Sequence, residues 1–246
     1  MQQQDAPDRL SAILEEAGAE ALAFFNRLGA RKVDTKAPGD FVSDADRAVE
    51  VTLRRLLERD FPGIPVLGEE YGGETGARYW AVDPIDGTSN FLSGLPFWTI
   101  SLGLIEDGEP VLGGIIAPVM GLMAAGSVDG LHETGLSPES RPAASPCIGM
   151  GRNPRWPLAD RQATEALIIE ADLAPRILGS CALALMLVAT GRLLGYIEPR
   201  VGGMWDCAGG LALCRAAGVP YRFRQHPDGT VDVAAGGVFG LLPIDW

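Results

Sequence analysis

Apolar positions recur at helical spacing in the first part of the chain. Leu10, Ile13, Leu14, Ala17, Ala21, Phe24, Phe25 and Leu28 share one face of a helix predicted over about residues 7–28, with Gly29 as its stop. A polar stretch, RKVDTKAPGDF, follows. Ser43 or Asp44 then caps a second predicted helix that runs to about Asp60, with Val49, Leu53, Leu56 and Leu57 as its inward stripe. Beyond it the period shortens. IPVLGEE reads as a short buried strand ending in carboxylates, and RYWAVDPIDG as a strand that runs into a turn. From Phe97 to about Glu133, apolar runs alternate with Asp107-Gly108 and Asp129-Gly130, the pattern of an antiparallel meander.

The second half alternates between the two periods. A helix is predicted in PLADRQATEALIIEAD, a strand in APRILGS that leads to a helix over about 180–189, and a strand in LLGYIE. MWDCAGGLALCRAAG reads as a helix despite its internal glycines, and VPYRF and TVDVAAGGVFGLL supply closing strands. The expected fold class is α/β (α+β) in layers, one domain of two packed halves at about 1–140 and 141–246. No internal repeat or low-complexity linker breaks it.

Charge narrows the function. Lys+Arg 20 against Asp+Glu 32 gives a net charge of -12, with no basic run to follow a nucleic-acid backbone, so no nucleic-acid polymer is expected as partner. A phosphorylated metabolite would also be repelled, unless bound cations reverse the sign locally. No uncharged apolar run reaches the roughly 18 residues of a membrane span, and the start lacks the basic and apolar regions of a secretory leader, so a soluble cytoplasmic protein with no membrane contact is expected. The 4 cysteines form no C-x-x-C pair and read as small buried hydrophobes. With 2 histidines, no G-x-S-x-G and no G-x-x-x-x-G-K-[ST], a serine hydrolase and a P-loop enzyme are poorly supported.

The acidic residues concentrate in GEEYGGETGARYWAVDPIDGTSNF, residues 68–91. Pro84 disfavours helix at Asp83, and Gly87 permits a sharp turn. Asp83, Asp86 and the Ile85 carbonyl can then converge while Thr88, Ser89 and Asn90 begin a helix. Carboxylates gathered this way stay ionised together if a hard divalent cation sits among them, and Mg²⁺ fits best. The same turn would also serve as a solvated surface turn, and spacing alone leaves both readings open.

GEE at 68–70, WAVDPIDGTSNF at 80–91 and WDCAGG at 205–210 resemble, in order, the signature motifs of the inositol monophosphatase family, and DFVSDADRAVE and GSCALALMLVATGRLLGYIE are family-like too. The resemblance implies a layered αβαβα sandwich of the sugar-phosphatase type and a Mg²⁺-dependent phosphatase of small phosphorylated metabolites, commonly a homodimer. It implies that Glu69, Asp83, the Ile85 carbonyl, Asp86 and Asp206 bind two or three Mg²⁺ ions, with Asp83 bridging. Glu69 and Thr88 would orient the attacking water, and Asp46 would hold the Thr88 hydroxyl. Lys36, Gly87, Thr88, Ser180, Cys181 and Glu198 would face the substrate. Leu194 replaces an acidic residue common in the family, the segment from Glu198 to Asp206 is one residue longer than usual, and Arg200 within it is unexpected. Inositol 1-phosphate is the usual substrate the resemblance implies. Histidinol phosphate, fructose 1,6-bisphosphate and adenosine 3′,5′-bisphosphate are alternatives, as is a regulatory protein that binds metal and phosphate without turnover.

Overall fold

The computed structural model describes residues 6–27, 33–37, 40–135 and 146–242, with 33–43 described by the backbone. Helices α1 (Ala6–Phe25) and α2 (Asp44–Asp60) form where the apolar spacing predicts them. Leu10, Ile13, Leu14, Val49, Leu53 and Leu56 are fully buried, each contributing roughly 2 kcal/mol of hydrophobic burial. Leu28 and the stop at Gly29 lie outside the described residues. Between the helices, the polar stretch expected as irregular chain holds a hairpin of β1 (Val33–Ala37) and β2 (Asp40–Ser43). Its alternation is short and split by Pro38-Gly39, so no strand pattern stands out. The register slips at Lys36, which is the extra residue of a bulge.

The two helices cover one face of a sheet ordered β3 (Val66–Gly68), β4 (Arg78–Asp86), β5 (Thr99–Glu106), β6 (Glu109–Ala117), β7 (Leu122–Ser127) and β8 (Gly130–Thr134). Within this sheet only β3 and β4 pair in parallel, so the meander is as predicted. After β4 comes a short helix, α3 (Thr88–Leu92).

The remaining strands are β9 (Cys147–Met150), β10 (Ala174–Arg176), β11 (Gly195–Val201), β12 (Tyr221–Gln225) and β13 (Val231–Gly236). They form a second sheet in the order β10-β9-β11-β13-β12. Strand β9 was not expected, because four residues with an internal glycine are too short to show a period. The last expected strand stops at Gly236. Positive φ values of 75° there and 85° at Gly240 turn the chain away from extended structure.

Helix α4 (Leu158–Glu170) covers the outer face of the second sheet, where Ile168 meets Ile148, Ile197 and Ala234. Helices α5 (Cys181–Ala189) and α6 (Met204–Ala216) lie between the sheets in one apolar cluster with Ile115 and Ala124 from the first and Val231 and Val233 from the second. The result is the αβαβα order.

Glycine explains how close α6 lies to the first sheet. A Cβ at Gly103 would stand 2.5 Å from the Ala208 Cβ, and one at Gly209 would stand 2.6 Å from Ser101 Oγ and 2.9 Å from the Leu102 carbonyl. A glycine inside a helix costs about 1 kcal/mol relative to alanine, a cost offset here by contact that no larger residue allows. Gly103→Ala is therefore expected to destabilise by about 1–3 kcal/mol, a fall in Tm of roughly 2–10 °C by thermal melt. An unchanged Tm would show that the interface yields.

Candidate active site

Strand β4 leaves its ladder at Asp83. The register with β5 slips by one residue between Asp83 and Asp86, and Gly87 follows at φ 92°, ψ 38°. A Cβ at Gly87 would stand 2.9 Å from the Phe97 carbonyl, so the turn is closed to other residues by both conformation and space. Asp83 accepts from the Ile85 amide at 2.9 Å, and Asn90 Nδ2 donates to the carbonyls of Phe97 at 2.7 Å and Leu178 at 2.9 Å. Asn90 thus ties the turn to the loop before α5.

Three carboxylates meet at this turn. Oxygens of Glu69, Asp83 and Asp206 all lie within 4.8 Å of one another. Glu69 follows β3, and its amide donates to the Val82 carbonyl at 3.2 Å. Asp206 lies in the first turn of α6, where its Oδ2 accepts from the Gly203 amide at 3.3 Å and the positive helix end favours its charge. Asp86 stands beside the trio rather than within it: its Oδ2 accepts from Ser180 Oγ at 2.5 Å and the Ala182 amide at 2.6 Å. The Ser180 hydroxyl, expected to face substrate, also accepts from the Leu183 amide at 3.1 Å and so caps α5.

Burial, and then the charges of Glu69 and Asp86, push Asp83 well above the usual carboxylate range. Burial and the charge of Glu69 do the same to Asp206, and burial raises Asp86 to about 6 despite its two donors. A divalent cation would relieve this repulsion of like charges. Donor chemistry favours a hard one, since the converging atoms are carboxylate oxygens and burial keeps the nearby Cys181 and Cys207 thiols protonated.

Helix α2 presents a polar row at four-residue spacing, Asp46, Glu50 and Arg54, next to its apolar stripe. Asp46 is fully buried and meets Thr88 Oγ1 at 3.4 Å, while the same hydroxyl lies 3.0 Å from the Ile85 carbonyl. Glu50, also fully buried, accepts from the Glu70 amide at 2.7 Å and pairs with Arg54, which donates to the Val66 carbonyl at 3.1 Å. Sequence reading missed Glu50. A glutamate on an amphipathic helix looks solvent-facing, and the four-residue row was its only signal.

The turn opens onto a pocket lined by Glu69, Asp86, Gly87, Thr88, Ser180, Cys181, Glu198 and Asp206 among others, so most of the predicted site residues come together there. The side chain of Lys36 lies outside the described residues. Glu198 is buried, and its carboxylate accepts from the Tyr196 hydroxyl and, at 2.9 Å, from Asn153 Nδ2. Between Glu198 and Val201, β11 carries one residue more than β13 as a bulge, with Arg200 at φ 62°. The Arg200 side chain pairs with Asp228 at 2.9 Å instead of lining the pocket.

Relatives share this arrangement of elements. The chain is 39% identical over 199 residues to a histidinol-phosphatase of Mycobacterium tuberculosis, covering 76% of this chain and 75% of the relative. It is 30% identical over 249 residues to a fructose-1,6-bisphosphatase/inositol-1-monophosphatase of Aquifex aeolicus, covering 93% and 92%. The Thermotoga maritima IMPase structure superposes with a TM-score of 0.76 at 26% identity, over 95% of this chain and 94% of that one. The model of the Inositol monophosphatase family matches residues 9–241, and with phosphatases at this identity over most of both chains, the chain belongs to that family of phosphoric monoester hydrolases.

Proposed function

We propose that the chain is a Mg²⁺-dependent phosphomonoesterase of small polyol or sugar phosphates, with water as nucleophile and no covalent intermediate. The observation that carries this reading is the convergence of Glu69, Asp83 and Asp206 within 4.8 Å beside an open pocket that Glu69, Asp206 and Thr88 line. Glu69, Asp83, Asp86, Asp206 and the Ile85 carbonyl would hold two or three ions. Bound there, Mg²⁺ supplies neutralisation of the phosphate charge and a more acidic water. The Thr88 hydroxyl lies within reach of the Asp46 carboxylate and the Ile85 carbonyl; it would accept a hydrogen bond from water and could take water's proton as its own passes to Asp46. Glu69 would orient the same water. The amides of Gly87 and Thr88, with Lys36, would face the phosphate, and Glu198 would receive a substrate hydroxyl. A soluble homodimer is the proposed working form, in keeping with the absence, among the described residues, of any helix long and apolar enough to cross a membrane.

Phosphate release from a panel of monoesters tests the reading. Turnover is expected to rise from zero as Mg²⁺ is titrated in and to vanish with EDTA. Tight phosphate binding without Mg²⁺-dependent release from any ester would replace the enzyme with a regulatory binder.

A further inference from the structure

Asp83 stands on β4 and Asp206 on α6, whereas Glu69, the remaining member of the acidic trio, stands on the loop after β3. That loop is closed on itself. The Gly68 amide donates to the Gly72 carbonyl at 2.9 Å and the Gly72 amide to the Gly68 carbonyl at 3.0 Å, so Glu69, Glu70 and Tyr71 are strung between two paired glycines. Helix α2 fills its centre. The amides of Glu70 and Tyr71 donate to the fully buried Glu50, at 2.7 Å to Oε2 and 3.3 Å to Oε1, and a Cβ at Gly68 would stand 2.0 Å from Oε1. Arg54, one helical turn further along α2, donates from Nε to Glu50 Oε1 at 2.9 Å, from Nη1 to the Val66 carbonyl at 3.1 Å and from Nη2 to the Gly72 carbonyl. Both ends of the loop and its middle are thus tied to one helix, the same helix whose Asp46 meets Thr88.

We propose that Glu50, held by Arg54, is a positioning residue that sets the place of Glu69 before any cation arrives and so determines the Mg²⁺ affinity of the pocket. This rests on the phosphomonoesterase reading above, in which Glu69 is a ligand. A carboxylate on an unsupported loop gives up conformational freedom when it takes an ion, and that cost is subtracted from the affinity. Here the loop is ordered beforehand. Two amides and a guanidinium all donate to Glu50, and a carboxylate accepts from both sides at once. A glutamine offers one oxygen and turns N–H groups toward the remaining donors, so it satisfies either the loop or Arg54 but not both.

The test measures Mg²⁺ binding by calorimetry, without substrate, for the full chain as wild type, Glu50→Gln and Arg54→Lys, beside thermal melts and hydrogen exchange of the metal-free proteins. Glu50→Gln is expected to weaken Mg²⁺ binding by about 10–100-fold. Exchange at the amides of Glu70 and Tyr71 is expected to speed up more than exchange inside α1 or α6. Arg54→Lys keeps a charge beside Glu50 but loses the fork to the two carbonyls, so a smaller fall in affinity is expected. The Mg²⁺ concentration for half-maximal phosphate release rises by the same factor as the Kd. A merely structural Glu50 would lower Tm and leave the Mg²⁺ affinity of the folded protein unchanged. That result overturns the proposal, as does exchange that speeds up equally throughout the chain. If Glu50→Gln does not fold, Arg54→Lys decides by the same readouts, and unchanged affinity there overturns it. Weaker Mg²⁺ binding in the variants, with no ester hydrolysed by wild type, supports the positioning role while the catalytic reading fails. Equal binding with wild-type hydrolysis intact overturns the positioning role alone, and a wild type that binds no Mg²⁺ overturns both.

Discussion

Replacing Asp83 by asparagine is expected to lower Mg²⁺-dependent phosphate release by about 10³-fold or more while the metal-free protein melts no lower than wild type. The side chain is 1% exposed and its neighbours are carboxylates, so in the proposed site its charge would serve a cation and not the fold. Asparagine keeps the volume and an oxygen that can accept from the Ile85 amide. Retained activity at the same Mg²⁺ would remove Asp83 from the ligand set. The variant also has a pH signature. In metal-free wild type, burial and like charges raise Asp83 well above its ordinary value and burial raises Asp86 to about 6, so the native state holds these protons more tightly than the unfolded chain. Stability from these groups is complete below their unfolded pKa values, near about 4, and is lost as pH rises through the raised ones. Melts in EDTA from about pH 5 to 8 are therefore expected to show a falling Tm in wild type, a shallower fall in Asp83→Asn and little fall in wild type with Mg²⁺. Equal slopes in the two proteins would show that Asp83 does not titrate as described.

Thr88→Ala is expected to reduce kcat by roughly 10²–10⁴-fold while the Mg²⁺ dependence stays close to that of wild type. The hydroxyl sits within reach of both Asp46 and the Ile85 carbonyl, so its loss would remove the proposed proton relay but no carboxylate. Stability changes by about 1 kcal/mol, the worth of one such hydrogen bond. Thr88→Ser keeps the oxygen and is expected to restore most of kcat, a rescue that a merely structural methyl contact would not give. An unchanged kcat in Thr88→Ala would remove the hydroxyl from the reaction.

Long periodic elements were legible in the chain. The α2 stripe of Val49, Leu53, Leu56 and Leu57 is buried as read, because a 17-residue amphipathic helix repeats its signal several times. Strand β9 and the hairpin at Val33–Ser43 were not legible, since four or five residues with glycine or proline nearby do not repeat any signal. The turn at Asp83–Gly87 was readable from local chemistry. That Asp206 would meet it came from the family resemblance of WDCAGG and not from local chemistry, because its approach depends on how α6 packs on Gly103, a fact that enters the sequence only as glycines that look unsuited to a helix. Glu50 stayed hidden for the opposite reason: its polar character fits an exposed helix face, yet it is 0% exposed and holds the loop after β3.

The cluster of Glu69, Asp83 and Asp206 joins the first sheet to the central helical layer, with Asp83 on β4, Glu69 just after β3 and Asp206 on α6 between the sheets. No partly assembled chain possesses it. A folding intermediate with the first sheet and its covering helices in place would carry two of the acids and no third, and a collapsed state with α6 misplaced by a helical turn would scatter them. Cation binding at this spot, as proposed above, would therefore report completed assembly and would favour α6 docked on the first sheet over α6 apart from it.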